Sequence, residues 1–223
     1  MKTIEQIAEK VNKKIKDWAR HQKKFVVVID GYAGSGKTSV ADRIGKLNPG
    51  CLVVHLDDFI KHWKVRKHMM DTARDRSRVF EYRWYHYDAL ERLARAFMEG
   101  KDYIYLKVYD FDKNDFTAPR VFDLSKNVLV IDGVFLLHPE HKINVLWGKR
   151  IFLKVNLERA EVRRIAQDKK KWGKDYLPED HPDSYIRDFR AAYKRYLDKY
   201  KPGQKADLVI DVDSHKKSTA EKL

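Results

Sequence analysis

The run Phe25-Val26-Val27-Val28-Ile29-Asp30 leads without a break into Gly31-Tyr32-Ala33-Gly34-Ser35-Gly36-Lys37-Thr38, and helical periodicity begins at Thr38. Nothing else in the sequence restricts the fold as much. A continuous, β-branched apolar run belongs to a strand buried on both faces of a parallel sheet. The spacing G-x-x-x-x-G-K-[ST] between such a strand and a helix lets the backbone curl so that successive N–H groups face phosphate oxygens. The following helix adds the positive end of its dipole. The motif implies binding of a nucleoside triphosphate through Gly31, Ala33, Gly34, Ser35, Gly36, Lys37, Thr38 and Ser39. Lys37 would reach the β- and γ-phosphates, and the Thr38 hydroxyl would ligate Mg²⁺.

Further runs of the same kind follow at 51–56 (CLVVHL), 103–109 (YIYLKVY), 127–132 (NVLVID), 150–155 (RIFLKV) and 206–211 (ADLVID). Helical patterns separate them at Thr38–Leu47, Tyr87–Met98, Glu158–Lys171 and Ser184–Tyr200. Strands alternating with helices predict an α/β, three-layer fold with a mainly parallel sheet flanked by helices. With 223 residues the chain is long enough for one domain with a substantial core. Its expected organisation is an amphipathic helix in 1–24, a nucleotide-binding domain in 25–212 with a helical lid at about 159–178, and a tail in 213–223. In the first segment Ile4, Ile7, Ala8, Val11, Ile15 and Trp18 recur at helical spacing opposite lysines. A basic amphipathic helix can lie on a membrane, but the acidic Glu5, Glu9 and Asp17 within it favour packing on its own domain.

A phosphate-binding loop alone does not select a reaction. The base-reading motif of guanine-specific GTPases, Asn/Thr-Lys-x-Asp, does not occur, and large nucleic-acid motors need more chain. Transfer to a small molecule remains, and it requires a carboxylate at a neighbouring strand end. CLVVHLDDF supplies Asp57 and Asp58 there, one of which could take the proton of an attacking hydroxyl; capping of a following helix is the plainer alternative for both. Asp132 closes VLVID as a group able to serve Mg²⁺, with Asp57 a second metal-side candidate. Beyond Glu158, Arg163, Arg164 and Lys169 fit a cationic lid over the transferred phosphoryl group, whereas Lys170 and Lys174 fit a solvated face.

In order along residues 25–211 stand IDGYAGSGKTS, LDDF, VYDF (108–111), VLVIDGVFLL (128–137), VRRIAQD (162–168) and KPGQKADLVID (201–211). This series resembles the uridine kinase-like branch of P-loop nucleoside and small-molecule kinases. The resemblance implies a five-stranded parallel core with a lid, ATP as donor and Mg²⁺ as cofactor. It implies Asp57 as the catalytic acid–base group, Arg163 and Arg164 as lid arginines, Tyr109 and Asp110 as acceptor-site residues, and an adenine position beside the segment after Asp211. Three places depart from the family pattern: Asp132 stands for the usual Glu, Asp112-Lys113-Asn114 replaces a base-reading His, and Gln167 replaces Arg. The stretch Phe80–Tyr85 lies where relatives approach the acceptor and offers Arg83 for an anion and Trp84 for stacking; core packing is an equal reading of these aromatics.

The expected activity is ATP- and Mg²⁺-dependent phosphorylation of a small acceptor, a nucleoside first, with nicotinamide riboside, pantothenate or a sugar phosphate as alternatives. The net charge of +14 points to a polyanionic ligand: residues 149–174 contribute +7 beside the expected lid, while the +5 of residues 1–24 has no role that the motifs supply. A nucleotide-dependent nucleic-acid-binding protein is the rival of another class, with no zinc-finger, RNP or helix-turn-helix signature to support it. The lone Cys51 excludes an internal disulfide framework. A cytoplasmic location is expected, without a membrane span, and the sequence leaves a homo-oligomer open.

Overall fold

The computed structural model describes residues 3–213. The chain opens with α1 (Ile4–Ala19), β1 (Phe25–Gly31), α2 (Lys37–Leu47) and β2 (Cys51–His55). Three helices follow: α3 (Trp63–Thr72), α4 (Arg76–Tyr82) and α5 (Tyr87–Met98). Four short strands come next, β3 (Tyr103–Leu106), β4 (Tyr109–Asp110), β5 (Asp115–Phe116) and β6 (Arg120–Asp123), before β7 (Val128–Gly133) and β8 (Lys149–Lys154). The last elements are α6 (Leu157–Trp172), α7 (Ile186–Arg195), α8 (Pro202–Lys205) and β9 (Leu208–Asp211).

Five strands form one parallel sheet in the order β2-β7-β1-β8-β9. The two central apolar runs, β1 and β7, are buried along their whole length. Successive residues of a strand face opposite sides, which divides the core in two. Val27, Ile29, Val128 and Val130 pack with Val40 and Ile44 of α2 and with Ile7, Val11 and Ile15 of α1. Val26, Val28, Leu129 and Ile131 pack on the other face with Leu90, Leu93 and Phe97 of α5 and Tyr193 of α7. The amphipathic first helix therefore covers its own domain, and its apolar face is not free for a membrane. Among the described residues no helix is long and apolar enough to cross one.

The run at 103–109 departs from expectation. It does not join the sheet: β3 pairs antiparallel with β6 as a separate ribbon. Tyr103 and Tyr105 are exposed while Leu106 is buried, so the segment alternates and has one wet face, unlike a central strand. The long terminal helix also starts later and changes pitch. It begins at Ile186, widens into a π-turn at Tyr196–Tyr200, and stops at Lys201 in the left-handed region (φ 47°) ahead of Pro202.

Candidate active site

The loop after β1 is shaped by its glycines. Gly34 and Gly36 adopt φ 78° and 86°, and a Cβ on Gly34 would lie 2.4 Å from the Ala160 carbonyl oxygen. No other residue type fits this approach of loop to α6. Gly31 is tight for a different reason, since a Cβ there would meet Ser35 Oγ at 2.8 Å. Ser35 Oγ is itself buried with no hydrogen-bond partner among the described residues, and Ser35 lines the cleft at the loop. Lys37 Nζ donates to the Tyr32 carbonyl at 3.5 Å across the loop.

At the adjacent strand end the Thr38 hydroxyl donates to Asp132 Oδ2 at 2.9 Å. His55 Nδ1 donates to Asp132 Oδ1 at 2.5 Å, and its Nε2 lies 3.3 Å from Asp42. The hydrogen bond to Asp132 is the main reason the His55 pKa is pushed up to about 9, against the opposing effect of burial. Thr38 and Asp132 offer hard oxygen donors side by side, the chemistry Mg²⁺ selects. His55 carried no motif and was not legible as part of the site, although CLVVH placed it one residue from a strand end.

The two acids after β2 have different fates. Asp58 is ion-paired with Arg120 at 2.5 Å. Asp57 is exposed, and its Oδ1 accepts a hydrogen bond from the Tyr85 hydroxyl at 3.2 Å. Asp57 thus keeps a carboxylate with a neutral partner, whereas Asp58 is neutralised by a guanidinium.

The lid arginines also separate. Asn156 caps α6 through the Arg159 N–H at 3.0 Å, which sets the helix phase. Arg163 Nε then donates to the Gly34 carbonyl at 2.9 Å, directly over the loop. Arg164 turns inward to Glu161 (2.7 Å) and Asp168 (2.7 Å). Glu161 also accepts from the Tyr32 hydroxyl and from Arg190 at 2.8 Å. Burial opposes ionisation of Glu161, but the bonds from Arg164, Arg190 and Tyr32 outweigh it and hold the carboxyl at about 2. Lys169 is exposed over the Tyr176 ring, 5.6 Å from its centroid, and does not line the cleft at the loop.

Three clefts surround these groups. One of about 350 Å³ joins Gly34 to Ser39 with Arg163, Gln167 and Val212. A second of about 470 Å³ touches the loop at Ala33 and the lid at Arg164 and Asp168. Its walls are Phe80, Trp84, Tyr185 and Phe189, with the Arg66 guanidinium 5.0 Å above the Trp84 ring. Trp84 and Phe80 are thus buried and cleft-lining at once, so both readings of that aromatic stretch apply. Arg83 is exposed at the end of α4 and does not line this cleft. Asp58, Tyr109 and Asp110 line a third, of about 510 Å³, with Arg120. Asp110 there caps the β4–β5 turn through the Asp112 and Lys113 N–H groups (3.0 and 3.2 Å), and Tyr109 donates to Asn114. Of the expected acceptor residues, Trp84 thus lines one cleft, Asp58, Tyr109 and Asp110 line another, and Arg83 lines neither. Arg66 and Tyr185 were missed because neither stands at a strand end or in a motif.

The five-stranded parallel sheet flanked by helices agrees with the comparisons. Residues 26–219 match the model of the phosphoribulokinase/uridine kinase family. The chain belongs to that family. It is an ATP-dependent kinase. Among curated relatives, the uridine kinase of Borrelia turicatae is 25% identical over 191 residues, covering 85% of this chain and 87% of the relative. The uridine kinase of Bacillus pumilus is 25% identical over 199 residues, covering 84% and 86%. Among solved structures, a possible uridine kinase from Bacillus stearothermophilus superposes with TM-score 0.68 at 21% identity, over 92% of this chain and 97% of the other. A D-glycerate 3-kinase from Cryptococcus neoformans gives TM-score 0.63 at 12% identity, over 93% and 96%. The shared fold thus serves kinases named for chemically different acceptors.

Proposed function

We propose that this kinase phosphorylates a hydroxyl on a small, ring-bearing acceptor, a nucleoside first, seated in the aromatic cleft between the P-loop and α6. The observation that carries this reading is the cleft's composition: four aromatic walls, one guanidinium stacked on Trp84, and direct contact with the loop at Ala33. Flat rings stack on such walls at offset or edge-on geometry. A small hydroxy acid such as a glycerate would leave most of this apolar surface unused.

Asp57 accepts the proton of the acceptor hydroxyl, whose oxygen attacks the γ-phosphorus as the bond to the β–γ bridging oxygen breaks and ADP leaves. The Tyr85 hydroxyl holds the Asp57 carboxylate in place. Lys37 and Arg163 stand at the loop to offset charge on the transferred oxygens. Thr38 and Asp132 would hold Mg²⁺, which would supply charge neutralisation to the phosphates. Arg164, tied to Glu161 and Asp168, acts by fixing α6 against Tyr32 of the loop.

The Arg66 guanidinium at the cleft favours a second acceptor class, one whose ring carries phosphate or carboxylate. Purified protein with MgATP, a nucleoside panel and a sugar-phosphate panel separates the two, with ADP release as the readout. Nucleosides are expected to stimulate release; stimulation confined to sugar phosphates selects the second class. Failure of both panels contradicts the proposed acceptor site.

A further inference from the structure

Helix α1 precedes the residues matched by the family model, so the family chemistry gives it no task. Its first turn nevertheless reaches the cleft at the P-loop. Thr3 and Ile4 line the 350 Å³ cleft together with Gly36, Ser39, Arg163 and Val212. Ile4 Cδ1 lies 2.9 Å from the position a Cβ would take on Gly36, and the side chain is 36% exposed, toward that cleft rather than in the core.

The placement is fixed from three sides. Thr3 and Gln6 form a capping box, each side chain accepting the other's backbone N–H at 3.2 Å. Glu5 pairs with Arg43 of α2 at 2.5 Å, and Asn48 donates to Asn12 at 3.2 Å. Contacts thus advance together along α1 and α2, so the two helices run side by side in the same direction and their first turns share one end. Ile7, Val11 and Ile15 then bury the helix against the sheet.

Topology says which part of the nucleotide meets Ile4. The P-loop leaves β1 at the centre of the sheet, the acids follow β2 at one edge, and Val212 follows β9 at the other. Phosphates at the loop and an acceptor hydroxyl at Asp57, after β2, direct the nucleoside moiety toward β9. We propose that Ile4, backed by Thr3, is an apolar wall of the nucleoside subsite, so that α1 sets affinity for the base and ribose of ATP without touching its phosphates. This rests on the P-loop being the nucleotide site of this kinase.

Calorimetric titration of the full chain with ATP and, separately, with inorganic tripolyphosphate tests it. Ile4→Ala should raise the Kd for ATP about three- to tenfold, as expected for one lost apolar contact, and leave that for tripolyphosphate unchanged. Ile4→Leu should restore ATP binding. Unchanged ATP affinity in Ile4→Ala overturns the proposal. Equal weakening for both ligands also overturns it, because the helix would then only support the loop. Lys37→Ala is the control for the underlying reading: if it weakens neither ligand, the P-loop assignment itself fails.

Discussion

Two neighbouring strands end in the same tripeptide, Ile29-Asp30-Gly31 and Ile131-Asp132-Gly133, and their aspartates have opposite lives. In the parallel register Asp30 stands beside Gly133 and Asp132 beside Ile29, so the two side chains point to opposite faces of the sheet. Both are buried, at 0% and 2% exposure. Asp30 faces the α5 and α7 side, where Oδ2 accepts the Leu137 N–H at 3.0 Å and the Tyr196 hydroxyl. Desolvation dominates there and lifts its pKa to about 6, despite those bonds and the nearby Lys37. Asp132 faces α2, which brings Thr38, and β2 adds a cationic His55. Identical local sequence thus yields a structural carboxyl on one face and a candidate metal ligand on the other. The partners, not the tripeptide, decide.

Asp132→Asn should give the largest effect and break the pair most severely. Loss of an anionic oxygen donor is expected to reduce kcat with MgATP about 100-fold or more, measured by ADP release at saturating ATP. His55→Gln leaves the carboxylate but removes the cation beside it. Orienting partners of metal ligands typically change metal affinity by about tenfold or more, which a Mg²⁺ titration of activity reads directly.

Asp30→Asn should change kcat by less than about threefold, since Asn can still accept from Leu137 and Tyr196. Its signature is in stability. Between the ordinary value of 3.8 and about 6 the folded chain holds a proton that the unfolded chain has lost, so wild-type stability falls as pH rises through that window. The fall is on the order of 3 kcal/mol, and urea melts at pH 4 and pH 7 should show the Asn variant without that component. The smallest effect is spectroscopic. In metal-free protein the His55 ring should titrate near 9 and return toward 6.5 in Asp132→Asn, followed by NMR. The stability that His55 adds is complete below 6.5 and is lost as pH rises to about 9.

Much of the molecule was legible because it depends on local pattern. Continuous apolar runs marked all five sheet strands, and the glycine spacing marked the loop whose close approach to Ala160 requires it. YIYLKVY misled because its tyrosines add apolar character while alternating with the residues that turn inward. The two-residue strands β4 and β5 carry too few residues for any periodicity. At the site, strand-end acids could be found but not ranked: the Arg120 contact on Asp58, from a residue 62 positions away, and the Tyr85 contact on Asp57 distinguish them. His55 and Arg66 escaped for the same reason, since their roles arise from distant partners. The first helix looked like unassigned charge until its opening turn was seen beside Gly36.

The assignment of Asp57 as the proton acceptor is the centre of this account, and one paired measurement tests it most directly. Steady-state ADP formation with MgATP and the best acceptor should fall about 100-fold or more in Asp57→Asn, with the KM for ATP nearly unchanged. Asp58→Asn, which loses only its pairing with Arg120, should retain kcat within about tenfold. Full activity in Asp57→Asn together with an inactive Asp58→Asn would contradict the account.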